Sequence, residues 1–187
     1  MKPFLRALGI DDGFFRPRTK TQTILVGVVY RFGHTVEGIL STKIRVDGFD
    51  STKKIIWMAK KTKFSGQVSF LLLSGKNFAA SNIPAVKKIF EETKIPVIFV
   101  FRSHPKMEKF ISALKKVSNF KKRFLLVQEA GEIHKFKKFF FQFYGCSEQE
   151  AKTALQKTIL HSNLPEPVRL AHLIASGITI GESTRPK

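Results

Sequence analysis

Three apolar, β-branched segments open the chain, and this opening constrains the fold more than any other feature. Residues 4–10 read as a short buried strand, and the runs 23–31 and 35–46 read as a hairpin that turns at Gly33 and His34. Strands and helices then alternate: helices over 50–61, 84–93 and 105–117, strands over 68–73 and 96–101. A meander followed by such alternation predicts a mixed sheet with helices on both faces.

The remainder of the chain extends this α/β pattern. Residues 124–127 and 135–144 are strand candidates, Ser147 with Glu150 forms a capping box for a helix, and a last helix is expected over 166–176, ended by Gly177. The order β-β-β-α-β-α-β-α, with a C-terminal strand and helices, is the ribonuclease H-like layout. We expect one domain over 1–187, with the first strand central and the ends of strands one and four at the active site.

The charge of the chain indicates its partners. Lys and Arg number 33 against 14 Asp and Glu, a net charge of +19. Such an excess of positive charge favours binding to nucleic acid or to an anionic membrane. The alternative is a basic surface that binds neither. No apolar run approaches the roughly 20 residues of a spanning helix, and the N-terminus lacks the apolar core of a signal peptide. We therefore expect a cytoplasmic protein that binds nucleic acid and no membrane.

Two adjacent carboxylates, Asp11 and Asp12, follow the first strand. Carboxylates at a strand end that hold Mg²⁺ or Mn²⁺ against a phosphodiester are typical of nucleases. Neighbouring residues of a strand point to opposite faces, so only one can face a site unless the strand has ended. We favour Asp11, since Asp12 before Gly13 suits a turn. The alternative is that both residues serve the turn.

Further candidates for chemistry lie at two other junctions. Asp47 and Asp50, between the third strand and the first helix, are either oxygen ligands for the metal or turn and N-cap residues, and Asp47 is the better ligand candidate. The predicted metal set is therefore Asp11, Asp12 and Asp47. His134 is a candidate general acid-base or metal ligand, or a solvated loop residue.

Basic side chains at strand ends and on one helix are candidates for contact with phosphate. Lys76 and Asn77 end the fourth strand, although the glycine spacing around them is not that of a P-loop. The basic stretch 102–123 and the phenylalanine-rich run after Lys137 could track a nucleic-acid backbone and stack bases, while the phenylalanines alone also suit a core. The predicted nucleic-acid contacts are Lys76, Asn77, Lys106, Lys109, Lys137 and Arg169.

Three segments together resemble one protein family. They are Gly-Ile-Asp-Asp-Gly at 9–13, Val-Asp-Gly-Phe-Asp at 46–50 and Leu-Pro-Glu-Pro-Val-Arg-Leu-Ala-His at 164–172. They resemble the mostly archaeal endonuclease dU family, a relative of endonuclease V. The resemblance implies a ribonuclease H-like fold and a repair enzyme. It also implies metal-dependent cleavage of DNA with deaminated bases, uracil first and hypoxanthine second.

The same resemblance suggests roles for single residues and shows two departures. Asp11 matches the first-strand aspartate that holds metal in endonuclease V, and Asp47 or Asp50 falls where that family supplies a glutamate. Endonuclease V has Asp-Gly at the end of strand four, where this chain has Ser74 and Gly75, and Gly-His near Cys146. Three explanations of these departures are open. The site is rebuilt from Asp12, Asp50 or His134, or the protein binds metal weakly, or the protein binds nucleic acid without catalysis. Besides an endonuclease and a nucleic-acid-binding protein without catalysis, a third class of function is an interaction protein that binds an acidic partner.

Overall fold

The strands of the chain form one mixed sheet of seven strands in the order β3-β2-β1-β4-β5-β7-β6. The computed structural model describes residues 5–16, 19, 21–33, 35–160 and 162–184. The predicted Phe4 of the first strand and His34 of the hairpin lie outside these residues. The strands are β1 Arg6–Asp12, β2 Gln22–Arg31, β3 Thr35–Arg45, β4 Val68–Ser74, β5 Val97–Phe101, β6 His134–Phe136 and β7 Phe139–Tyr144.

Six helices in the described residues cover both faces of the sheet. They are α1 Ser51–Lys60, α2 Val86–Thr93, α3 Met107–Leu114, α4 Phe120–Gln128, α5 Glu148–Thr158 and α6 Glu166–Ile180. One core joins α1 and α2 to β1 through Leu8 and Ile10. A second core joins α5 and the start of α6 to Ala7 of the same strand. Among the described residues, no helix is both long and apolar enough to span a membrane.

The central position of β1 fixes where a site can form. β1 pairs antiparallel with β2 and parallel with β4, and β4 pairs parallel with β5. The carboxyl ends of β1, β4 and β5 therefore meet at one edge of the sheet, where α/β proteins commonly bind ligands. This confirms the predicted order of the first strands and the convergence of strands one and four.

Three predicted elements differ in the structure. Residues 124–127 belong to helix α4, because four apolar residues cannot distinguish a strand from a buried helical turn, and Val127 packs with Leu114. The strand predicted over 135–144 is a hairpin that turns at Lys137, whose φ is +52°. Helix α6 continues through Gly177 and ends at Gly181.

Gly9 lets helix α6 approach the sheet, and its replacement gives a first prediction. A Cβ atom on Gly9 would overlap the backbone carbonyl of Pro167. We expect Gly9→Ala to lower the free energy of unfolding by about 3 kcal/mol, as overpacking of a tight core does. Thermal unfolding measures this effect. The control is Gly177→Ala, in open space within α6, which should leave the protein equally or slightly more stable. Equal stability of both variants would contradict the close docking of α6.

Candidate active-site cleft

A cavity of about 300 Å³ opens at the edge where β1, β4 and β5 end. Its polar lining comes from three successive strand ends and the start of α3. The lining includes Asp12, Ser74, Lys76, Arg102, Ser103 and Lys106. One carboxylate therefore faces several cationic groups in a concave site, as expected for a pocket that receives an anion.

Asp12 provides the carboxylate of this cleft. It is the last residue of β1, 5% exposed, and its Oδ2 accepts a hydrogen bond of 2.7 Å from the Ala79 backbone N–H. Ala79 has a φ of +42° in the loop after β4. Our prediction that Asp12 belongs to the turn is wrong, because Asp12 lies in the strand and lines the cavity. The strand extends through Asp12, which points with Leu8 and Ile10 towards the cleft side.

Asp11 faces the opposite side of the sheet. Its Oδ2 lies 2.7 Å from Nδ1 of His172 on α6, and its Oδ1 accepts from the Asp12 backbone N–H. The second ring nitrogen of His172 is 3.1 Å from the Thr184 hydroxyl. Both members of the pair are buried. Asp11 thus joins β1 to α6, and its predicted role in catalysis stays a prediction that this orientation does not support.

Asp47 and Asp50 brace two loops. The Asp47 Oδ1 accepts hydrogen bonds from the Ser81 hydroxyl (2.6 Å) and backbone N–H (3.2 Å). The Asp50 Oδ1 accepts from the Asn82 side chain at 2.7 Å. Asp50 occupies the N-cap position of α1 as predicted, but its side chain makes no capping hydrogen bond. Both carboxylates hold the junction of β3 and α1 against the loop that carries Ala79.

The predicted metal ligands do not converge. Asp11 faces α6, Asp12 faces the cleft, and Asp47 faces Ser81. Across the described ranges, no three His, Cys, Asp or Glu side chains lie close enough together to hold a metal ion. Mg²⁺ in proteins is commonly held by one or two carboxylates together with water and substrate phosphate. The described donors therefore do not fit a metal ion held by the protein alone.

Lys76 is an unusual cation in the cleft. It is only 6% exposed, and burial lowers the pKa of its ammonium group to about 8. Within the described part of the chain, no hydrogen bond or ion pair joins this ammonium group to another residue. Desolvation disfavours the charged form of a lysine. An anion that enters the cleft would compensate for this cost, and the uncharged amine is a nucleophile.

Four other predicted nucleic-acid contacts lie in the cleft or near this edge of the sheet. Lys106 is exposed and lines the cleft, and Lys109 is exposed one turn further along α3. Asn77 also lines the cleft, and its amide donates to the Ala80 carbonyl. Lys137 occupies the β6–β7 turn, next to the residues that pair with the end of β5.

Two predicted site residues lie elsewhere. His134 begins β6, stacks near Phe141 and Phe143, and lies 3.5 Å from a Glu148 carboxylate oxygen. Arg169 on α6 is paired with Glu166 at 2.6 Å, and this hydrogen-bonded pairing raises the pKa of its guanidinium group. Neither side chain lines the cleft, and the roles predicted for both in a functional site stay predictions.

Arg123 is the structural residue that sequence reasoning missed. It lies in the basic stretch 102–123 but is 1% exposed. Its guanidinium group donates to the carbonyl oxygens of Ser118 (3.0 Å), Gly48 (3.0 Å), Asp47 (2.6 Å) and Ser81, and stacks on the Phe49 ring. Burial lowers the pKa of this group. Arg123 therefore ties α4 to the loops beside the cleft rather than to a nucleic acid.

The sheet order and the cleft at the ends of β1, β4 and β5 define a protein of the ribonuclease H-like fold class. Comparison with known proteins then gives the family. The family model for Endonuclease dU matches residues 3–179, and the chain belongs to this family. The assignment confirms the resemblance in the three sequence segments, and family and fold together support a nuclease.

Two archaeal relatives and one distant structure show how far the similarity extends. A UPF0215 protein of Methanothermobacter thermautotrophicus is 38% identical over 187 residues, covering 98% of this chain and 92% of the relative. A crystal structure of a protein of unknown function from Archaeoglobus fulgidus has a TM-score of 0.86 and 38% identity, covering 93% of this chain and 98% of that one. Both similarities extend over nearly the whole of each chain.

The distant structure is endonuclease V of Ciona intestinalis, in complex with a 24mer DNA containing an inosine followed by a ribo-adenosine. Its TM-score is 0.55 at 14% identity, and the match covers 90% of this chain and 82% of that one. At this identity the similarity establishes the fold alone.

Proposed function

We propose that the protein is an endonuclease that cleaves DNA containing deaminated bases, uracil first and hypoxanthine second, and so serves DNA repair. The observation that carries the proposal is the placement of Asp12 among Lys76, Arg102 and Lys106 in one cleft. The family description and the endonuclease V-like fold support a phosphodiester as the bond cleaved. A damaged base would be flipped out or met in a single strand, because a duplex hides its reading edge.

Asp12 compensates for a missing carboxylate. The resemblance to endonuclease V leads us to expect an aspartate at the end of strand four, where this chain has Ser74. Asp12 ends the neighbouring parallel strand and lines the same cavity as Ser74. Of the three candidates for a rebuilt site, Asp12, Asp50 and His134, only Asp12 lines this cavity. We infer that its carboxylate orients and deprotonates the attacking water, as a general base does.

The cations of the cleft would act on the phosphate. Lys76 and Lys106 place positive charge where the pentavalent phosphate develops negative charge, and the burial of Lys76 strengthens its attraction for the phosphate. The predicted Mg²⁺ or Mn²⁺ would need further ligands from water and the DNA phosphate, since no three of the described His, Cys, Asp and Glu side chains lie together.

A salt titration tests the path of the backbone. We expect the double variant Lys106→Ala, Lys109→Ala to bind single-stranded DNA more weakly. We also expect the slope of log K against log salt to become shallower by about 1.4, or 0.7 for each lost phosphate contact. Fluorescence anisotropy with a labelled oligonucleotide measures the slope. Lys88→Ala on α2, an exposed lysine paired with Glu92, is the control. An unchanged slope in the double variant would place the DNA on another face.

A nicking assay tests the proposed reaction. End-labelled single- and double-stranded oligonucleotides would carry one uracil, one hypoxanthine or no lesion, each with Mg²⁺, Mn²⁺ or EDTA. The proposal expects incision at or beside the lesion by the wild-type protein and none in undamaged DNA. The EDTA arm decides whether a metal ion takes part. Uniform cleavage of all strands would contradict lesion recognition.

A second candidate function is nucleic-acid binding without catalysis. The observation that favours it is the failure of Asp11, Asp12 and Asp47 to converge on a metal position. It predicts salt-dependent binding, no incision under any metal condition, and binding that survives Asp12→Asn.

A further inference from the structure

Lys76 combines three properties that are seldom found together. It lines the cleft, it is almost fully buried, and within the described residues it has no hydrogen-bonding or charged partner. A buried ammonium group can attract phosphate, but burial also increases the fraction of Lys76 that is uncharged. Burial of a lone lysine in a cavity is therefore also the arrangement that supports nucleophilic attack on a carbonyl group.

We propose that Lys76 gives the protein a second activity, a lyase reaction that cuts DNA at abasic sites through a Schiff base. The inference rests on the proposed function only in that DNA enters the cleft. The backbone of intact DNA has no carbonyl carbon with which an amine could form an imine. Where a base has been lost, the ring-opened deoxyribose carries an aldehyde at C1′, so an abasic site is the substrate class that matches an amine in a DNA-binding cleft.

The steps balance without an oxidant, a reductant or a metal. The neutral Nζ of Lys76 attacks C1′, and uptake of one proton from solvent with loss of one water molecule gives the iminium; the proton is returned when the iminium is hydrolysed. A base removes a proton from C2′, the electrons form a carbon–carbon double bond, and the C3′–O bond breaks with its electron pair leaving on the 3′ phosphate. One water molecule then hydrolyses the conjugated iminium. This step releases Lys76 and leaves an unsaturated aldehyde on the DNA fragment that kept the deoxyribose.

The base for the C2′ proton is available in the same cavity. The Asp12 carboxylate lines the cleft with Lys76 and is oriented by the Ala79 backbone N–H. The two residues would therefore divide the reaction, with Lys76 forming the covalent bond and Asp12 driving the elimination. The lowered pKa of Lys76, about 8, provides roughly one neutral amine in ten near pH 7.

Borohydride trapping tests this activity. Wild-type protein would be incubated in EDTA with a labelled oligonucleotide that carries one abasic site, and sodium borohydride would reduce the imine to a stable cross-link. We expect a cross-linked band with the wild type, its loss in Lys76→Arg, which keeps the charge, and its retention in the matched exposed-lysine variant Lys88→Arg. Asp12→Asn should keep the cross-link but slow strand scission, which separates the two steps.

Peptide mapping of the wild-type cross-link makes the test independent of any variant's stability. Mass spectrometry should find the DNA remnant on Lys76, and the trapping rate should rise as the pH approaches about 8. A cross-link on another amine, or none although the protein binds the abasic strand, would overturn the lyase proposal and leave the proposed endonuclease standing. Failure to bind any DNA would overturn both.

Discussion

Replacing Asp12 with asparagine is expected to lower incision of lesion-containing DNA by about 10²–10⁴-fold, the usual loss when a general base is removed. The substitution keeps the size of the side chain and an oxygen that can accept the Ala79 N–H. The fold should therefore survive while the charge in the cleft is lost. Single-turnover incision of an end-labelled strand measures the rate, and thermal unfolding verifies the structure.

Asp11→Asn is the matched comparison, because Asp11 is adjacent in the chain but faces α6. Weakening its buried hydrogen bond to His172 should lower the free energy of unfolding by about 1–3 kcal/mol. Incision below the melting temperature should stay within a few-fold of the wild-type rate. If Asp11→Asn abolished incision and Asp12→Asn did not, the orientation assigned to the two carboxylates would be wrong. Asp11 would then have the role that its correspondence with the endonuclease V aspartate implies.

Arg123→Ala is expected to have the largest effect on stability. The truncation leaves four backbone carbonyl oxygens, from three separate segments, without their donor. A buried polar group left unsatisfied costs about 1–3 kcal/mol, and partial access of water reduces the sum. We expect a loss of about 3–5 kcal/mol, close to that for a broken buried ion pair, and a melting temperature lower by about 10 °C.

The control for Arg123→Ala is Lys121→Ala, two residues earlier and exposed. It removes one positive charge from the same helix without removing a buried donor, so stability should stay within about 0.5 kcal/mol of the wild type. Chemical denaturation compares the variants. If both behave alike, Arg123 does not organise the loops beside the cleft, and its role would be that of a surface cation after all.

The sheet was predictable because its pattern is local and repetitive. The runs that became β2 and β3 are long, β-branched and joined by a turn signal, and the buried runs of β4 and β5 alternate with amphipathic helices, which favours strands. Helix α4 was not, because Phe-Leu-Leu-Val within 124–127 fits a strand as well as a turn of helix. The β6–β7 turn depends on a positive φ at Lys137. A lysine rarely adopts this conformation, so the sequence does not predict the turn.

The composition of the site was predictable, but its geometry was not. Lys76 and Asn77 were identified because polar residues that follow buried strands gather at one sheet edge. Lys106 was identified from the basic stretch 102–123, and Asp12 as a member of the predicted metal set. Which of Asp11 and Asp12 faces the cleft depends on how far β1 extends, which is set by pairing with β2. The partners of Asp11 and Arg123 lie far away in the chain, so only the folded structure reveals them. Ser103 follows the buried β5 and could have been found by the same strand-end rule.

Incision of a uracil-containing strand beside an otherwise identical undamaged strand, with Mg²⁺ present, tests the proposed endonuclease most directly. We expect wild-type protein to cut the first strand at or near the uracil and to leave the second intact, and we expect Asp12→Asn to lose this activity. Binding of both strands with equal affinity and no incision of either would contradict the proposed endonuclease, and would identify the cleft as a site that holds nucleic acid without cleaving it.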